Sequence, residues 1–253
     1  MAQQEQQEKS DLSDGTTALR GGVWVAPDAP FEAVAAEEEL GVLTRAIPPR
    51  RYARGQRVHR LNDPADGFFV VLSGRVKIGV PNTSAGERVL AVCGPGDLFG
   101  TSRCMGEPEH LSEAMSLADG TLVVNVTCER LREVVRAHPD VALKLTQALS
   151  TRIGVLEEQV EHARLPVQAR LARTLLSLAK RFGTEVTPDV FEVRLALRHD
   201  EIASLAGAGR ISVTQALSAW RAMGIVTGTR GTYQIDVARL AALTELLEFE
   251  QLK

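Results

Sequence analysis

The sequence predicts an α+β protein with an N-terminal jelly-roll-like β-roll, a long helix, and a helical C-terminal domain that contains a β-hairpin. Short β-rich runs alternate with Gly, Pro and Asp turns between residues 48 and 127. Apolar residues at helical spacing dominate over residues 128–182 and again over 198–222. A further β-rich stretch with interspersed Gly residues follows and predicts the final hairpin.

The composition excludes whole classes of protein. Of the 253 residues, 44% are hydrophobic and 24% are charged, which is ordinary for a globular protein and not for a collagen or a disulfide scaffold. No apolar run is long enough for a membrane-spanning helix, and the first 30 residues contain no stretch of signal-peptide character. The three cysteines, Cys93, Cys104 and Cys128, form no close pair in the sequence. We therefore expect a cytoplasmic protein without a membrane segment.

Charge is distributed unevenly along the chain. Residues 1–40 contain 2 basic and 9 acidic residues, whereas residues 164–239 contain 11 basic and 6 acidic residues. A basic segment within a chain of net charge -3 suggests contact with a polyanion. Solvated Arg side chains on helix faces would produce the same pattern, so charge alone does not decide.

The chain divides into four regions. Residues 1–29 are polar and predict a disordered or loosely ordered tail. Residues 30–137 hold the β-roll, which is preceded by a helix over 30–46. Residues 138–165 form a long helix and a hinge. Residues 166–253 form the C-terminal domain, which includes an extra amphipathic helix over 238–252.

The β-roll is predicted from seven β-rich runs. In one of them, residues 75–78 alternate polar and apolar side chains, as a half-buried strand does. Glycines stand where tight corners are needed between runs. The predicted strands are Gln56–Arg60, Gly67–Leu72, Arg75–Val80, Arg88–Cys93, Asp97–Phe99, Ser112–Leu117 and Leu122–Val126.

Helices are predicted over 129–137, 139–163 and 167–182, the last of which stops at Gly183. The middle helix carries a heptad pattern. Thr146, Ile153 and Val160 share one heptad position, and Leu149, Leu156 and Ala163 share a second one three residues later. This pattern favours a parallel two-stranded coiled coil. We therefore expect a homodimer whose interface includes Leu149, Arg152, Ile153, Leu156 and Val160. The alternative is that this stripe packs on the β-roll of the same chain.

Residues 198–222 predict two helices that meet at a tight turn. Gly207 permits the left-handed backbone of the turn, and Ala203 is small where the helices cross. Ile202, Leu205, Val213 and Leu217 would supply the shared core. This is the helix-turn-helix arrangement, whose second helix enters the major groove of DNA, although a plain αα-hairpin in a helical core shares its pattern.

The second of these helices would present polar residues to base edges. Arginine pairs with guanine in bidentate fashion, and glutamine pairs with adenine. Residues 225–237 predict a β-hairpin wing whose tip could contact a phosphate through Arg230. The candidate DNA-binding residues are Arg198, Arg210, Ile211, Ser212, Thr214, Gln215 and Arg230.

Three stretches of the chain resemble the CRP/FNR family of transcription regulators. Residues 52–77 resemble the start of its cyclic-nucleotide-binding β-roll, and residues 95–100 match its Pro-Gly-Asp-x-x-Gly signature. Residues 172–179 with the helix-turn-helix and wing resemble its C-terminal domain. The resemblance covers about residues 30–237. It implies a homodimer held by the long helix, a palindromic double-stranded DNA site, and recruitment of RNA polymerase.

The departures from the family pattern concern its effector. Members that bind cyclic AMP have Glu after the signature glycine, Gly100, where this chain has Thr101. They have an Arg-Ser or Arg-Thr pair where this chain has Leu111-Ser112, and a Thr-Ser pair where it has Val155-Leu156. A buried phosphate would thus lack its main cationic partner, unless Arg103 or His110 replaces it. We expect a degenerate effector pocket that does not depend on cyclic AMP.

The recognition helix departs from the family as well. The best-known members have Arg-Glu-Thr-Val-x-Arg where residues 210–215 are Arg-Ile-Ser-Val-Thr-Gln. Arg210 is retained, while Ile211 removes the acceptor for cytosine and can contact a thymine methyl group. We expect a target sequence that overlaps only partly with the usual one.

No cofactor is expected. The family's iron–sulfur members carry an N-terminal cysteine cluster, and this chain has no cysteine before Cys93. Its five histidines show no close metal-ligand spacing. No nucleophile–base arrangement or phosphate-binding Gly-rich loop points to an enzyme. The sequence therefore predicts a dimeric activator that needs no cyclic nucleotide, with a regulator gated by cyclic AMP or another small effector as the alternative.

Overall fold

The computed structural model describes residues 37–82, 86–195, 197–229 and 231–249. The predicted tail over 1–29, the first part of the helix predicted over 30–46, and Arg230 lie outside the described residues, as do the last residues of the predicted C-terminal helix.

Eight strands form the β-roll as two four-stranded antiparallel sheets. One sheet has the order β1-β8-β3-β6 and the other β2-β7-β4-β5. Strand β3 is apolar on both faces because each face packs in a different core cluster, Phe69 and Val71 in one and Phe68 and Val70 in the other. Strand β8 instead mixes buried with half-buried residues. The strands are β1 (Arg50–Tyr52), β2 (Arg57–His59), β3 (Gly67–Ser73), β4 (Val76–Asn82), β5 (Gly86–Cys93), β6 (Leu98–Phe99), β7 (Glu113–Ser116) and β8 (Thr121–Thr127).

All seven predicted runs contain a strand, so the β-roll is confirmed, while β1 was not predicted. The corner between β3 and β4 shows why glycine is needed there. Gly74 has φ 83°, and a Cβ at this position would lie 2.4 Å from Thr121 Oγ1.

Helices flank the roll. They are α1 (Glu37–Thr44), α2 (Cys128–Ala137), α3 (Asp140–His162) and α4 (Val167–Phe182). The hydroxyl of Thr127 accepts a hydrogen bond from the amide of Arg130 at 3.1 Å and caps α2. Helix α1 ends two residues before the predicted end because Ala46 adopts a left-handed conformation. Helix α3 matches the predicted long helix within one residue at each end.

The C-terminal domain combines helices with a third antiparallel sheet, of order β11-β12-β10-β9. The two predicted helices, the hairpin and the final helix are all present. The elements are β9 (Gly183–Thr187), β10 (Val190–Arg194), α5 (His199–Leu205), α6 (Arg210–Ala222), β11 (Val226–Thr229), β12 (Thr232–Asp236) and α7 (Val237–Phe249).

No strand was predicted directly after Gly183, yet the segment Gly183–Val190 forms β9 and the start of β10. The two strands pair through a turn in which Asp189 has φ 62°. The polar side chains and Pro188 resemble a loop in composition, yet the backbone pairs with the wing and extends its sheet. Gly183 ends α4 as predicted, but in an extended conformation and not a left-handed one.

The buried core extends from the C-terminal domain into the roll. The largest apolar cluster combines residues of α4, α5, α6 and the third sheet with Val89 and Val92 of β5. Two smaller clusters lie within the roll and between the roll and helices α1 to α3. No helix among the described residues is both long and apolar enough to cross a bilayer.

Candidate nucleic-acid interface and effector region

The helix-turn-helix is formed by α5 and α6. Ile202, Leu205, Val213 and Leu217 are buried between the two helices, as predicted. Gly207 has φ 58° in the turn, which confirms its predicted left-handed conformation. The packing therefore fixes which side of α6 faces away from the protein.

Arg170, which was not predicted to have a role, holds this turn in place through hydrogen bonds. Arg170 of α4 donates hydrogen bonds to the carbonyl oxygens of Ala206 at 3.1 Å and Gly207 at 2.7 Å. The same guanidinium donates to the carbonyl of Leu165 at 2.8 Å. It thus satisfies carbonyls at the turn and just before α4, which helps to hold α6 at a fixed angle.

The outward face of α6 carries the predicted base-reading residues. Arg210, Thr214 and Gln215 are exposed, Ile211 is 75% exposed, and Ser212 is half-buried. An isoleucine this exposed at the start of a helix gains nothing from the core, which leaves it free for an apolar contact with a base.

The two other candidate residues, Arg198 and Arg230, do not belong to α6. Arg198 is exposed just before α5, and its guanidinium pairs with Asp200 at 3.0 Å. A phosphate contact by Arg198 would therefore compete with this carboxylate. Arg230 belongs to the wing tip, outside the described residues.

A histidine contacts the base-reading face. His199 Nδ1 lies 3.2 Å from Thr214 Oγ1, and that hydroxyl donates to the carbonyl of Arg210 at 2.9 Å. Burial lowers the pKa of His199, and the nearby Arg221 and Arg210 lower it further. This residue was not predicted, because its role depends on the approach of α5 to α6.

The roll contains a stack of aromatic rings. The imidazole of His59 stacks on that of His110 with 3.9 Å between ring centroids, and on Phe69 and Phe99 at 5.4 and 6.0 Å. Both histidines are buried. Neither nitrogen of His59, nor Nδ1 of His110, has a hydrogen-bond partner of good geometry among the described residues.

Both imidazoles are neutral near pH 7. Burial lowers the pKa of His59 to about 4 with help from His110, while the backbone of Arg60 and Ser112 opposes this shift only in part. Burial also lowers the pKa of His110, against the opposing effect of Asp63 and Asp66. The stack therefore supplies no positive charge.

The signature glycine lies beside this stack. Gly100 has φ 67° and precedes a 3-10 turn over Thr101–Met105. A Cβ at Gly100 would lie 2.9 Å from the Phe69 ring and 3.3 Å from His59 Nε2. Glycine is thus required by both its backbone conformation and the close approach of these rings.

The structure brings some predicted effector-region residues together. The hydroxyl of Ser102, in the turn that follows Gly100, accepts a hydrogen bond from the amide of Leu111 at 3.3 Å. Thr101 and Ser112 are half-buried, whereas Leu111 is 54% exposed. Val155 and Leu156 lie on α3. Of the two replacement cations that we considered, Arg103 is exposed, and His110 belongs to the ring stack, where burial lowers its pKa.

Two of the three cysteines are neighbours in the folded protein. Burial and the adjacent Cys128 raise the pKa of Cys104 to about 11, so the two thiols lie close together although they are distant in sequence. Within residues 37–82, 86–195, 197–229 and 231–249, no group of three His, Cys, Asp or Glu side chains is arranged to hold a metal ion.

The long helix α3 exposes large apolar side chains. Leu149 and Ile153, both predicted at the dimer interface, are 50% and 56% exposed in the protomer. Arg152, Leu156 and Val160 belong to the same helix. The described part of the roll thus leaves Leu149 and Ile153 half open to solvent.

Comparison with known proteins identifies both halves of the chain. A Crp-like helix-turn-helix domain matches residues 169–246, and a cyclic nucleotide-binding domain matches residues 49–138. A CRP-like cAMP-activated global transcriptional regulator of Mycobacterium tuberculosis is 29% identical over 71% of this chain and 80% of that protein. A cyclic AMP receptor protein of Thermus thermophilus is 29% identical over 85% of this chain and 94% of that protein.

A solved structure shows the same fold. A mutant of CooA from Carboxydothermus hydrogenoformans superimposes with a TM-score of 0.67 at 22% identity, over 88% of this chain and 100% of that one. At this level of identity the similarity supports the architecture of roll, helix and helix-turn-helix.

Proposed function

We propose that this chain, a DNA-binding transcription regulator of the CRP/FNR type, acts as a homodimeric activator that needs no cyclic AMP. The neutral ring stack in the roll is the observation that carries this proposal. His59 and His110 are uncharged and buried beside Gly100, and Leu111 stands where cyclic-AMP-binding members have arginine. A cyclic phosphate beside Leu111 would lack the cationic partner that the arginine supplies in those members.

We assign DNA reading to the exposed face of α6. Arg210 is suited to a bidentate contact with guanine and Gln215 to one with adenine, while Ile211 can cover a thymine methyl group. Ser212 and Thr214 add hydroxyl groups on the same helix. In this proposal Arg198 and Arg230 contact DNA phosphates that flank the bases read by α6.

We assign dimerisation to α3. The half-exposed Leu149 and Ile153 would be buried against a second copy, with Leu156 and Val160 at the equivalent heptad positions and Arg152 beside them. Such a dimer would place its two α6 helices about 34 Å apart, which suits two half-sites one helical turn apart.

This proposal assigns a function to each of three regions of the chain. Residues 30–137 form a roll of sensor ancestry, residues 138–165 the dimer helix and hinge, and residues 166–253 the DNA-binding domain. An activator of this kind acts in the cytoplasm by recruiting RNA polymerase.

The second candidate is a regulator gated by cyclic AMP. It is favoured by the names of the two relatives that are 29% identical, which describe a cAMP-activated regulator and a cyclic AMP receptor. Both candidates share the DNA-binding domain, so the nucleotide alone distinguishes them.

The test begins with selection of duplexes from a random library by the purified protein. Fluorescence anisotropy then measures the Kd of a selected duplex with and without cyclic AMP. We expect palindromic sites, affinity that falls steeply with salt, and no change on adding the nucleotide. A Kd lowered strongly by cyclic AMP would establish the second candidate. Transcription by RNA polymerase from a promoter that carries the selected site decides between activation and repression.

A further inference from the structure

A lysine of the roll is buried between two carboxylates, one of which belongs to the DNA-binding domain. Lys77 Nζ on β4 lies 2.5 Å from Glu87 Oε2 on β5 and 2.5 Å from Glu201 Oε1 on α5. The side chains of Lys77 and Glu201 are 5% and 7% exposed. Burial alone would lower the pKa of Lys77, but its hydrogen bonds to Glu201 and Glu87 outweigh this and raise it. The lysine is therefore charged, and its loss would leave two neighbouring carboxylates without a cation between them.

The same glutamate caps the first helix of the helix-turn-helix. Glu201 Oε2 accepts a hydrogen bond from the amide of Arg198 at 2.8 Å, while Oε1 holds Lys77. Three residues later, the hydroxyl of Ser204 accepts from the amide of Val89 at 2.8 Å and donates to its carbonyl at 3.2 Å. Thus α5 is attached to β5 along one face of the helix.

A second buried ion pair joins the domains next to the effector region. Arg181, near the end of α4, pairs with Asp97 of the Pro-Gly-Asp signature, and the Asp97 side chain is 2% exposed. The Asp97 carboxylate also accepts from the amide of Gly94 at 2.6 Å. The aspartate of the signature therefore connects the strand that leads to Gly100 with the DNA-binding domain.

Further contacts join the two domains at this boundary. Arg75 of the roll donates to the carbonyls of Arg194 at 2.7 Å and Phe182 at 3.0 Å, and its guanidinium lies 5.2 Å from the centre of the Phe182 ring. Val89 and Val92 are buried in the core cluster of the C-terminal domain. The two domains thus share a continuous core in this conformation.

The boundary leaves the reading face free. The contacts to the roll come from α4, α5 and the third sheet, while Arg210, Ile211 and Gln215 on α6 remain exposed. Docking on the roll therefore does not cover the residues to which we assign DNA reading.

We propose that Lys77, Glu87, Glu201, Asp97 and Arg181 form an interdomain latch that fixes the helix-turn-helix on the roll in the orientation that binds DNA. The latch rests on the proposed function, because it supplies the fixed domain orientation that an effector-independent regulator needs. Buried ion pairs contribute little net stability, and in some proteins they specify one arrangement over its alternatives, which is the role that we propose for these pairs. Breaking the latch would release a domain that still folds and still exposes α6, at the expense of DNA affinity.

The test compares substitutions in ion pairs that join the two domains with a substitution in an ion pair that lies within the roll. Lys77→Met keeps a long apolar stem and removes the ammonium group, Glu201→Gln keeps an acceptor for the helix cap, and Arg181→Met breaks the second pair. Arg57→Met is the matched control, because Arg57 pairs with Glu113 at 2.8 Å within the roll. Hydrogen–deuterium exchange of α5 and β5 reports the latch, and exchange of β3 and β8 reports folding of the roll.

We expect Lys77→Met and Arg181→Met to increase exchange in α5 and β5, with β3 and β8 unchanged. The affinity for a duplex selected by the wild type should fall about 2-fold to 30-fold. The double variant Lys77→Met with Glu201→Gln should lose less affinity than the two single effects combined, because both remove the same interaction. Arg57→Met should change neither measurement.

Two results would overturn the latch. Exchange in α5 and β5 that stays at the wild-type level in Lys77→Met and Arg181→Met would show that these residues do not hold the domains together. Increased exchange with unchanged DNA affinity would show that the held orientation is not the one that binds DNA. A wild-type protein that selects no duplex would instead refute the proposed function, and the exchange measurement would still decide whether the latch exists.

Discussion

The imidazole rings of His59 and His110 lie face to face in the roll, with 3.9 Å between their centroids and 21° between their planes. One ring comes from strand β2 and the other from the segment between Met105 and β7. Phe69 and Phe99 extend the stack. Two imidazoles this close cannot both be protonated without strong repulsion, and an apolar surrounding disfavours even one charge.

This stack makes the stability of the roll depend on pH. The pKa of His59 is about 4 in the folded state and about 6.5 when unfolded, so the unfolded chain binds the proton more readily. Stability should be fully present above about pH 6.5 and should fall as the pH decreases toward 4. The pKa difference corresponds to a loss of about 3 kcal/mol, which urea unfolding across this range would measure.

Carboxylates also titrate in part of that range, so the prediction is a difference between variants. His59→Phe keeps an aromatic ring in the stack and removes the proton, and its stability should decline less between pH 6.5 and pH 5. His138→Phe replaces an exposed histidine and should decline like the wild type. Parallel curves for His59→Phe and the wild type would contradict the assignment.

Much of the fold could be predicted because it follows from local patterns. Alternation and glycine corners identified strands such as β3 and β8, and the three-to-four spacing of Ile202, Leu205, Val213 and Leu217 identified the helix-turn-helix. Strand β9 was missed because polar side chains on an edge strand look like a loop. Its pairing with β10 depends on a sheet that only the folded domain completes.

Some features of the candidate site could likewise be predicted from the sequence, and others could not. Exposure of Arg210 and Ile211 followed from the helical period, since Val213 and Leu217 had to face inward. The stacking of His59 on His110 and the pairing of Lys77 with Glu201 join residues far apart in the chain. No spacing rule in one sequence encodes such contacts. The alternation over residues 75–78 places Lys77 on the polar face of a half-buried strand, whereas the structure buries it between two carboxylates.

Loss of the retained arginine should weaken DNA binding. Arg210→Ala removes the guanidinium assigned to guanine, and each half-site should lose about 1–3 kcal/mol of binding free energy. The fold should persist because Arg210 is exposed. Fluorescence anisotropy with a selected duplex measures the change. Arg132→Ala, which removes an exposed arginine from α2, is the control and should bind as the wild type does. Equal losses in both variants would indicate a general charge effect only.

The identity of residue 211 should set the base preference at one position. Ile211 is 75% exposed, and its side chain can contact a thymine methyl group but cannot accept a hydrogen bond. Ile211→Glu introduces an acceptor for the amino group of cytosine, so duplexes selected by this variant should shift from thymine to cytosine at that position. Ile211→Ala distinguishes this from simple loss of contact, since it should weaken the thymine preference without creating one for cytosine. Unchanged preferences in both variants would remove Ile211 from the interface.

A charge in the heptad stripe should convert the dimer into monomers. Ile153 is 56% exposed on α3 and occupies an interface position in the proposed coiled coil. Ile153→Glu would bury two like charges near the symmetry axis, which disfavours association far more than it disturbs the protomer. Sedimentation velocity should show a dimer for the wild type and a monomer for the variant. Lys144→Glu changes charge at an outer heptad position of the same helix and should remain dimeric.

The monomeric Ile153→Glu variant should also lose affinity for the full palindrome and bind it no better than a single half-site, because it no longer engages both halves at once. A dimeric Ile153→Glu variant would place the interface on another surface.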